Sequence, residues 1–367
     1  MSAGVLAVGL TVPVIGALMC AAPAATRPTL QFGVRVPRDQ AGAPVIRRER
    51  RAYYWRTAVI GACCTAAAVL VGMQGHGSWW LISIIRLLLV AADLGCFWVA
   101  RRKIVAAKNA NEWFAGLRQT IVTDTSWRTD PPCFPVRWLI PALAVVAATA
   151  TAGALRYPDL PAHIAIGLGG PAHRPKSVVS AFPMVGGQLY VTTLWTGLIL
   201  IIYRSRPDIE AADPAASTLR YRRFLAAFTR ALLTLIALVD AGLLLVALRD
   251  WQLIRLPGPG SAALAVLPFA AGVLLLAAVT LRAGQGGWRL NGNVRGLAPA
   301  AGTERDDDRF WKAGLLYVNR DDPGIMVGAR FGVGWTFNFG NPTAWLVIAG
   351  IVAAPAGLAA IGVAAGM

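Results

Sequence analysis

Charge is scarce in this sequence. Only 14% of its 367 residues are Asp, Glu, Lys or Arg, against about 25% in an average soluble domain, so a water-facing surface of ordinary polarity is excluded. Acid is scarcer still, with 18 Asp and Glu against 35 Lys and Arg, a net charge of +17. Histidine occurs three times, and no Cys-x-x-Cys pair or His spacing would build a zinc site. Gly-x-Ser-x-Gly, a phosphate loop, His-Glu-x-x-His and a helix-opening Gly-x-Gly-x-x-Gly are all missing, which weighs against hydrolase, ATPase and dehydrogenase chemistry. We expect no catalytic residue, no cofactor and no metal.

Apolar length is what the chain has. Hydrophobic residues make up 56% of it, and windows of about 20 of them, enough to cross a ~30 Å hydrocarbon core, lie near 1–22, 56–74, 78–100, 137–155, 182–203, 224–248, 260–281 and 344–366. The expected fold class is all-α and polytopic, with about eight transmembrane helices. The first window lacks a basic leading segment and is followed by arginines, so it reads as an anchor with its N-terminus outside rather than a cleaved signal. Cys20, Cys63, Cys64 and Cys96 fall in apolar runs, where small buried thiols in a reducing compartment are expected.

The positions of the basic residues test the span count. Loops one, three, five and seven hold eight, seven, five and eight Lys or Arg, whereas loops two, four and six hold none, three and two. Basic loops mark the cytoplasmic side, so this alternation places both termini outside a bacterial inner (plasma) membrane. The charges lie between apolar blocks rather than on one face of a soluble domain, which argues against nucleic acid as the partner. Trp55, Trp79, Trp80, Trp98, Trp138 and Trp251 fall at expected span ends, where amphipathic rings anchor.

The organisation we expect is a three-helix membrane region over 1–135, a two-helix unit with an outside loop over 136–204, two further helices and a linker over 205–304, a cytoplasmic module over 305–342, and the last helix over 343–367. Arg47-Arg48-Glu49-Arg50-Arg51 forms a polybasic collar in the first loop, held by anionic lipid at roughly 1 kcal/mol per charge. In the 305–342 segment, Leu315 to Asn319, the turn signal Arg320 to Gly324 and alternating Phe331 to Phe339 predict a small β-hairpin laid on the membrane surface.

Three segments resemble parts of one bacterial membrane family. Tyr157 to Ile164, then Gly169-Gly170-Pro171 and Lys176, resemble the domain of unknown function 1648 of Sdp-type toxin-immunity-like proteins. Phe310 to Asn319, Asp321-Asp322-Pro323, Arg330 to Thr336, Asn338-Phe339 and Pro342 resemble the domain of unknown function 5808, and Phe32 to Pro37 with the following arginines resembles the first loop of the same proteins. In the outside loop, Ile164-Ala165 and Ala172-His173 stand where family members have an aromatic with Asn, and an Asp. The resemblance implies protection from a secreted peptide toxin, with or without retention of a soluble repressor at the membrane.

Candidate binding residues come from both lines of reasoning. Arg86 and Asp93 lie two turns apart in the third span and Asp240 lies mid-span in the sixth; charges at bilayer depth cost ~2.5–3.5 kcal/mol, so they should face the bundle interior and pair, Arg86 with Asp240 or Asp93, unless they only glue helices or snorkel. His163, His173 and His76 are the three histidines, all expected outside; the first two, near Asp159, would bind a metal or sense acidity, but no third ligand is evident and surface turn residues are the simpler reading. Lys176, Trp311, Asn319, Arg330, Trp335 and Asn338 come from the resembling segments; Arg330 and Asn338 would hold a phosphate or lipid headgroup, or else shape turns and strand ends. Asp306, Asp307, Asp308, Asp321 and Asp322 lack calcium-loop spacing and read as solvated turn carboxylates. Three functions compete: a non-enzymatic toxin-immunity-like or signalling protein that meets an extracellular peptide and a cytoplasmic protein partner, a transporter or channel using Arg86, Asp93 and Asp240, and a lipid-modifying enzyme.

Overall fold

The computed structural model describes residues 3–73, 79–117, 119–120, 129–165, 173–210, 213–254, 260–290, 303–304 and 306–364. Eight helices of 17 residues or more organise them: α1 (Ala3–Ala25), α2 (Pro44–Met73), α3 (Trp79–Ala110), α4 (Ile140–Arg156), α5 (Pro183–Arg204), α6 (Pro214–Asp250), α7 (Gly260–Ala283) and α8 (Pro342–Ala364). Six of them, α2 to α7, are long and apolar enough to cross a membrane, the architecture of a multi-pass membrane protein. The described apolar stretches of α1 and α8, Thr11–Ala25 and Pro342–Ala354, are shorter than that. The eight expected windows thus all fall on helices, six of which are long and apolar enough to cross a membrane among the described residues.

Local chemistry sets several boundaries. Asp213 caps α6 by accepting from the Ala216 amide at 3.2 Å, and Pro214 supplies a first-turn residue that needs no amide donor. Ser177 and Ser180 form a reciprocal capping box that starts the helical turn Val178–Ala181 just before α5.

The helices pack as two groups. In the first, α1, α2 and α3 touch one another, and Val12, Ala68, Ile82 and Leu89 form part of their core. In the second, α6 runs against α4, α5 and α7, and Ala142, Ile199, Leu232, Leu233 and Ile236 close the centre. Helix α1 reaches α7 and joins the groups.

Short strand pairs decorate the ends. β1 (Leu30–Gln31) and β2 (Val34–Arg35) form a tight hairpin through Phe32 and Gly33, both at positive φ. β3 (Gln119–Thr120) lies parallel to the later β6 (Thr303–Glu304), whereas β4 (His163–Ala165) and β5 (His173–Pro175) are antiparallel. The 306–342 module contains two antiparallel pairs, β7 (Trp311–Lys312) with β8 (Leu316–Tyr317) and β9 (Met326–Gly328) with β10 (Trp335–Phe337). This differs from the single hairpin expected about Arg320 to Gly324. Ala313 and Gly314, at φ +53° and +75°, make the first reversal, and the Gly332–Gly334 region makes the second.

Candidate functional site

The basic end of the bundle is a convergence of loops one, three, five and seven. Phe331 of the module enters an aromatic cluster from the first third of the chain: its ring centroid lies 4.6 Å from Phe97 on α3, 5.8 Å from Phe32 at the β1–β2 turn and 6.1 Å from Tyr53 on α2. Four residues on, Trp335 stacks on Phe224 at 5.9 Å, meets Phe228 edge-on at 5.2 Å and donates its indole N–H to the Tyr221 hydroxyl at 3.3 Å. Two module residues four positions apart therefore bind one helix group each.

Ion pairs tie the same elements. Arg330, 2% exposed, pairs with Asp307 and Asp308, lies 4.8 Å over the Trp311 ring and reaches the Gly33 carbonyl at 3.4 Å. Arg35 donates to Asp307 at 3.0 Å and approaches Asp208 at 3.4 Å; Lys108 at the end of α3 takes Asp306 at 2.8 Å and Asp308 at 2.7 Å. Arg27 joins Asp208 at 3.3 Å and the Gln285 carbonyl at 3.2 Å. Burial alone would raise the Asp308 carboxyl, but Arg330 and Lys108 outweigh it and hold Asp308 below the ordinary carboxylate range. At Asp208 burial is likewise outweighed, by Arg35, Arg27 and Arg330. Asp306 to Asp308 are therefore not solvated turn residues. The basic loops bring so many cations together that these acids are drawn inward as their counter-ions.

Asn338, fully buried, is the organiser of the module. Its amide nitrogen donates to the carbonyls of Asn319 at 2.9 Å, Asp322 at 3.0 Å and Gly324 at 3.2 Å, while its Oδ1 accepts from the amides of Asn319 and Gly340, both at 3.0 Å. Asn319 spends its side chain on Tyr317 and the Asp321 amide. Trp311, Asn319, Arg330, Trp335 and Asn338 are thus brought together, and each has internal partners.

Residues 320–345 match the family of unknown function DUF5808. The matched segment contains Arg330, Phe331, Trp335 and Asn338, the residues that hold the module to itself and to both helix groups. It begins ten residues after the expected start at Phe310 and runs on to Trp345 in α8. No curated protein and no solved structure matches the chain.

The intramembrane candidates are not brought together. Arg86 donates to Ser83 on its own helix at 2.7 Å. Asp93 is buried, and among the described residues neither of its oxygens has a hydrogen-bond partner. Asp240, 0% exposed, lies where α4, α5 and α6 meet: its Oδ2 accepts from Thr192 at 2.7 Å, its backbone carbonyl accepts from Gln188 at 2.8 Å, and Gln188 also donates to Thr149 at 2.9 Å. Asp240 Oδ1 and Gln188 Oε1 have no hydrogen-bond partner among the described residues. The uncharged Gln188 and Thr192, one turn apart on α5, were legible only as rare polar residues in an apolar window.

At the opposite end, loops four and six meet. Trp251 is buried, donates its indole N–H to the Ala181 carbonyl at 2.8 Å and packs with Leu160, Ile164 and Phe182. It is a plug in this loop cluster rather than the interfacial anchor expected. Lys176 donates to the carbonyls of Pro158 at 3.0 Å and Leu160 at 3.2 Å and lies over the Tyr157 ring, so it fastens the loop. His163 is exposed in β4, and Asp159 pairs with Arg156. Among the described residues no group of three His, Cys, Asp or Glu could hold a metal ion. His76, Gly169, Gly170 and Pro171 lie outside the described residues.

Proposed function

We propose that this protein is a non-enzymatic, multi-pass protein of a bacterial plasma membrane with a toxin-immunity-like or signalling role. The observation that carries the reading is the placement of Phe331 and Trp335 of one small module in two different helix groups. A ligand-driven shift between the groups would have to be accommodated at this packed junction as well as at the α1–α7 contact, and such a junction resists continuous deformation.

In this reading the loops at the opposite end, closed by Trp251 and Lys176, lie outside the cell and meet an extracellular peptide. Their resemblance to the domain of unknown function 1648 supports that assignment. The basic end lies in the cytoplasm, where the 306–342 module meets a protein partner. Deleting the gene is expected to sensitise cells to a secreted peptide, and the module is expected to capture a cytoplasmic protein in crosslinking from intact membranes. Unchanged sensitivity to every peptide tested, together with no partner crosslinked to the module, would sink the proposal.

One observation favours a second reading, a transporter or channel. Asp240 sits fully buried between three helices with an unpaired oxygen and no basic side chain bonded to it among the described residues. Flux through wild-type protein in liposomes that disappears in Asp240→Asn, with folding intact, would establish it; absence of flux of any ion or solute tested would remove it.

A further inference from the structure

The run Arg47-Arg48-Glu49-Arg50-Arg51 looks in sequence like a partly neutralised charge cluster. Helix α2 sorts it. Glu49, 2% exposed, turns inward on the face of Ile46, Tyr53 and Thr57, and its Oε1 accepts from Lys103 at 2.8 Å. Arg50 donates to the Tyr54 hydroxyl at 3.4 Å. Arg47, Arg48 and Arg51 are left together on the outward face, where with Ala52 and Trp55 they line one shallow groove. The acid nearest to them in sequence is already committed elsewhere.

The outward face of α2 changes character in a definite order beyond the arginines. Trp55, 67% exposed, comes one turn after Arg51 with the exposed Arg56 beside it, and past Arg56 the exposed surface is apolar, with Val59, Val69 and Leu70. Three guanidiniums on the groove, an indole with Arg56 at its level, and then aliphatic surface reproduce the polarity profile of a membrane boundary: phosphate depth, headgroup-to-acyl boundary, hydrocarbon. From Thr57 to Met73 the helix continues for about 25 Å at ~1.5 Å per residue, the length of most of a hydrocarbon core. Guanidiniums suit a phosphodiester because their planar N–H forks match its oxygens.

The geometry points to a binding site for one anionic phospholipid, its phosphate held by Arg47, Arg48 and Arg51, its glycerol region against Trp55, and its acyl chains along the exposed face of α2. The phosphate of a membrane lipid is favoured over a soluble phosphate because the groove opens onto apolar surface instead of closing round the ion.

Full-length protein in detergent would be titrated with phosphatidylglycerol or phosphatidylcholine, and bound lipids counted by native mass spectrometry. The triple change Arg47→Gln, Arg48→Gln, Arg51→Gln is expected to weaken phosphatidylglycerol binding by about tenfold or more, with phosphatidylcholine unaffected. A control of equal charge loss at exposed positions, Arg102→Gln, Arg309→Gln and Arg320→Gln, should leave it within about twofold. Equal weakening by both triples would show a diffuse charge effect and overturn the site, as would unchanged binding in the first triple or full competition by millimolar inorganic phosphate. Should the first triple fail to fold, the wild type decides the matter: brominated phosphatidylglycerol must quench more fluorescence than brominated phosphatidylcholine, and the excess must vanish in Trp55→Phe. Equal quenching by the two lipids would refute the assignment.

Discussion

The ring of Phe331 meets the ring of Phe97 edge-on with centroids 4.6 Å apart, although the two residues belong to the last and the first thirds of the chain. Such a pair contributes about 0.5–1.5 kcal/mol beyond the area it buries. Phe331 makes three such contacts at once.

Phe331 is half-buried, so Phe331→Ala is expected to cost about 2–3 kcal/mol, below the range for truncating a fully buried aromatic, and to loosen the module rather than melt the helices. Limited proteolysis should cut the 306–342 segment faster in the variant while helix content by circular dichroism is retained. Equal proteolysis of variant and wild type would show that the aromatic cluster does not hold the module down.

Acid should release the same contacts. Asp308 and Asp208 are held below the ordinary carboxylate range by surrounding cations, so the unfolded or undocked state binds protons more readily than the docked one. Their contribution is fully present above the ordinary Asp value of about 3.9 and is lost as pH falls through the depressed docked-state values. The protection of the module amides, measured against their intrinsic exchange at each pH, should hold from neutral pH to the ordinary Asp range and fall below it. Module loosening confined to alkaline pH would reverse the sign and contradict the ion-pair assignment.

Arg86 and Asp240 should behave independently. Arg86 bonds Ser83 and Asp240 bonds Thr192, so the double variant Arg86→Gln, Asp240→Asn should be additive in stability within about 0.5 kcal/mol. Asp240→Ala should cost about 1–3 kcal/mol by stranding the Thr192 hydroxyl in the bundle. A coupling energy well above the additive limit would show that the two side chains meet.

Gly153 tests the opposite end. A Cβ there would stand 2.6 Å from both Phe182 and Trp251 ring carbons, so Gly153→Ala must push the Trp251 plug aside, at about 1–3 kcal/mol for overpacking. A thermal-stability loss accompanied by a shifted tryptophan emission is expected. An unchanged spectrum would mean that the ring does not seat on α4.

Much of this arrangement was legible one window at a time. Twenty-residue apolar stretches predict helices because lipid leaves the backbone no other partner for its hydrogen bonds, and each of the eight windows falls on a helix. The alternation of basic loops anticipated which loops share an end, and the contacts of Arg27, Arg35, Lys108, Asp208 and Arg330 bring loops one, three, five and seven together. The density of Asn, Gly and aromatic residues after Phe310 marked a folded module, because turns and close approaches demand them.

Pairing was decided only by the tertiary structure. Nothing local tells Arg330 to choose Asp307 and Asp308, or Asp240 to accept from Thr192 instead of meeting Arg86, because those choices depend on which helix faces come into register across the bundle. The same holds for the collar of α2: its sequence records four arginines and a glutamate, and only the helix packing turned Glu49 inward and left Arg47, Arg48 and Arg51 facing out. Apolar length and charge sign act through the solvent and can be read along the chain, whereas a hydrogen bond requires two groups within about 3 Å, a condition that only the folded chain satisfies.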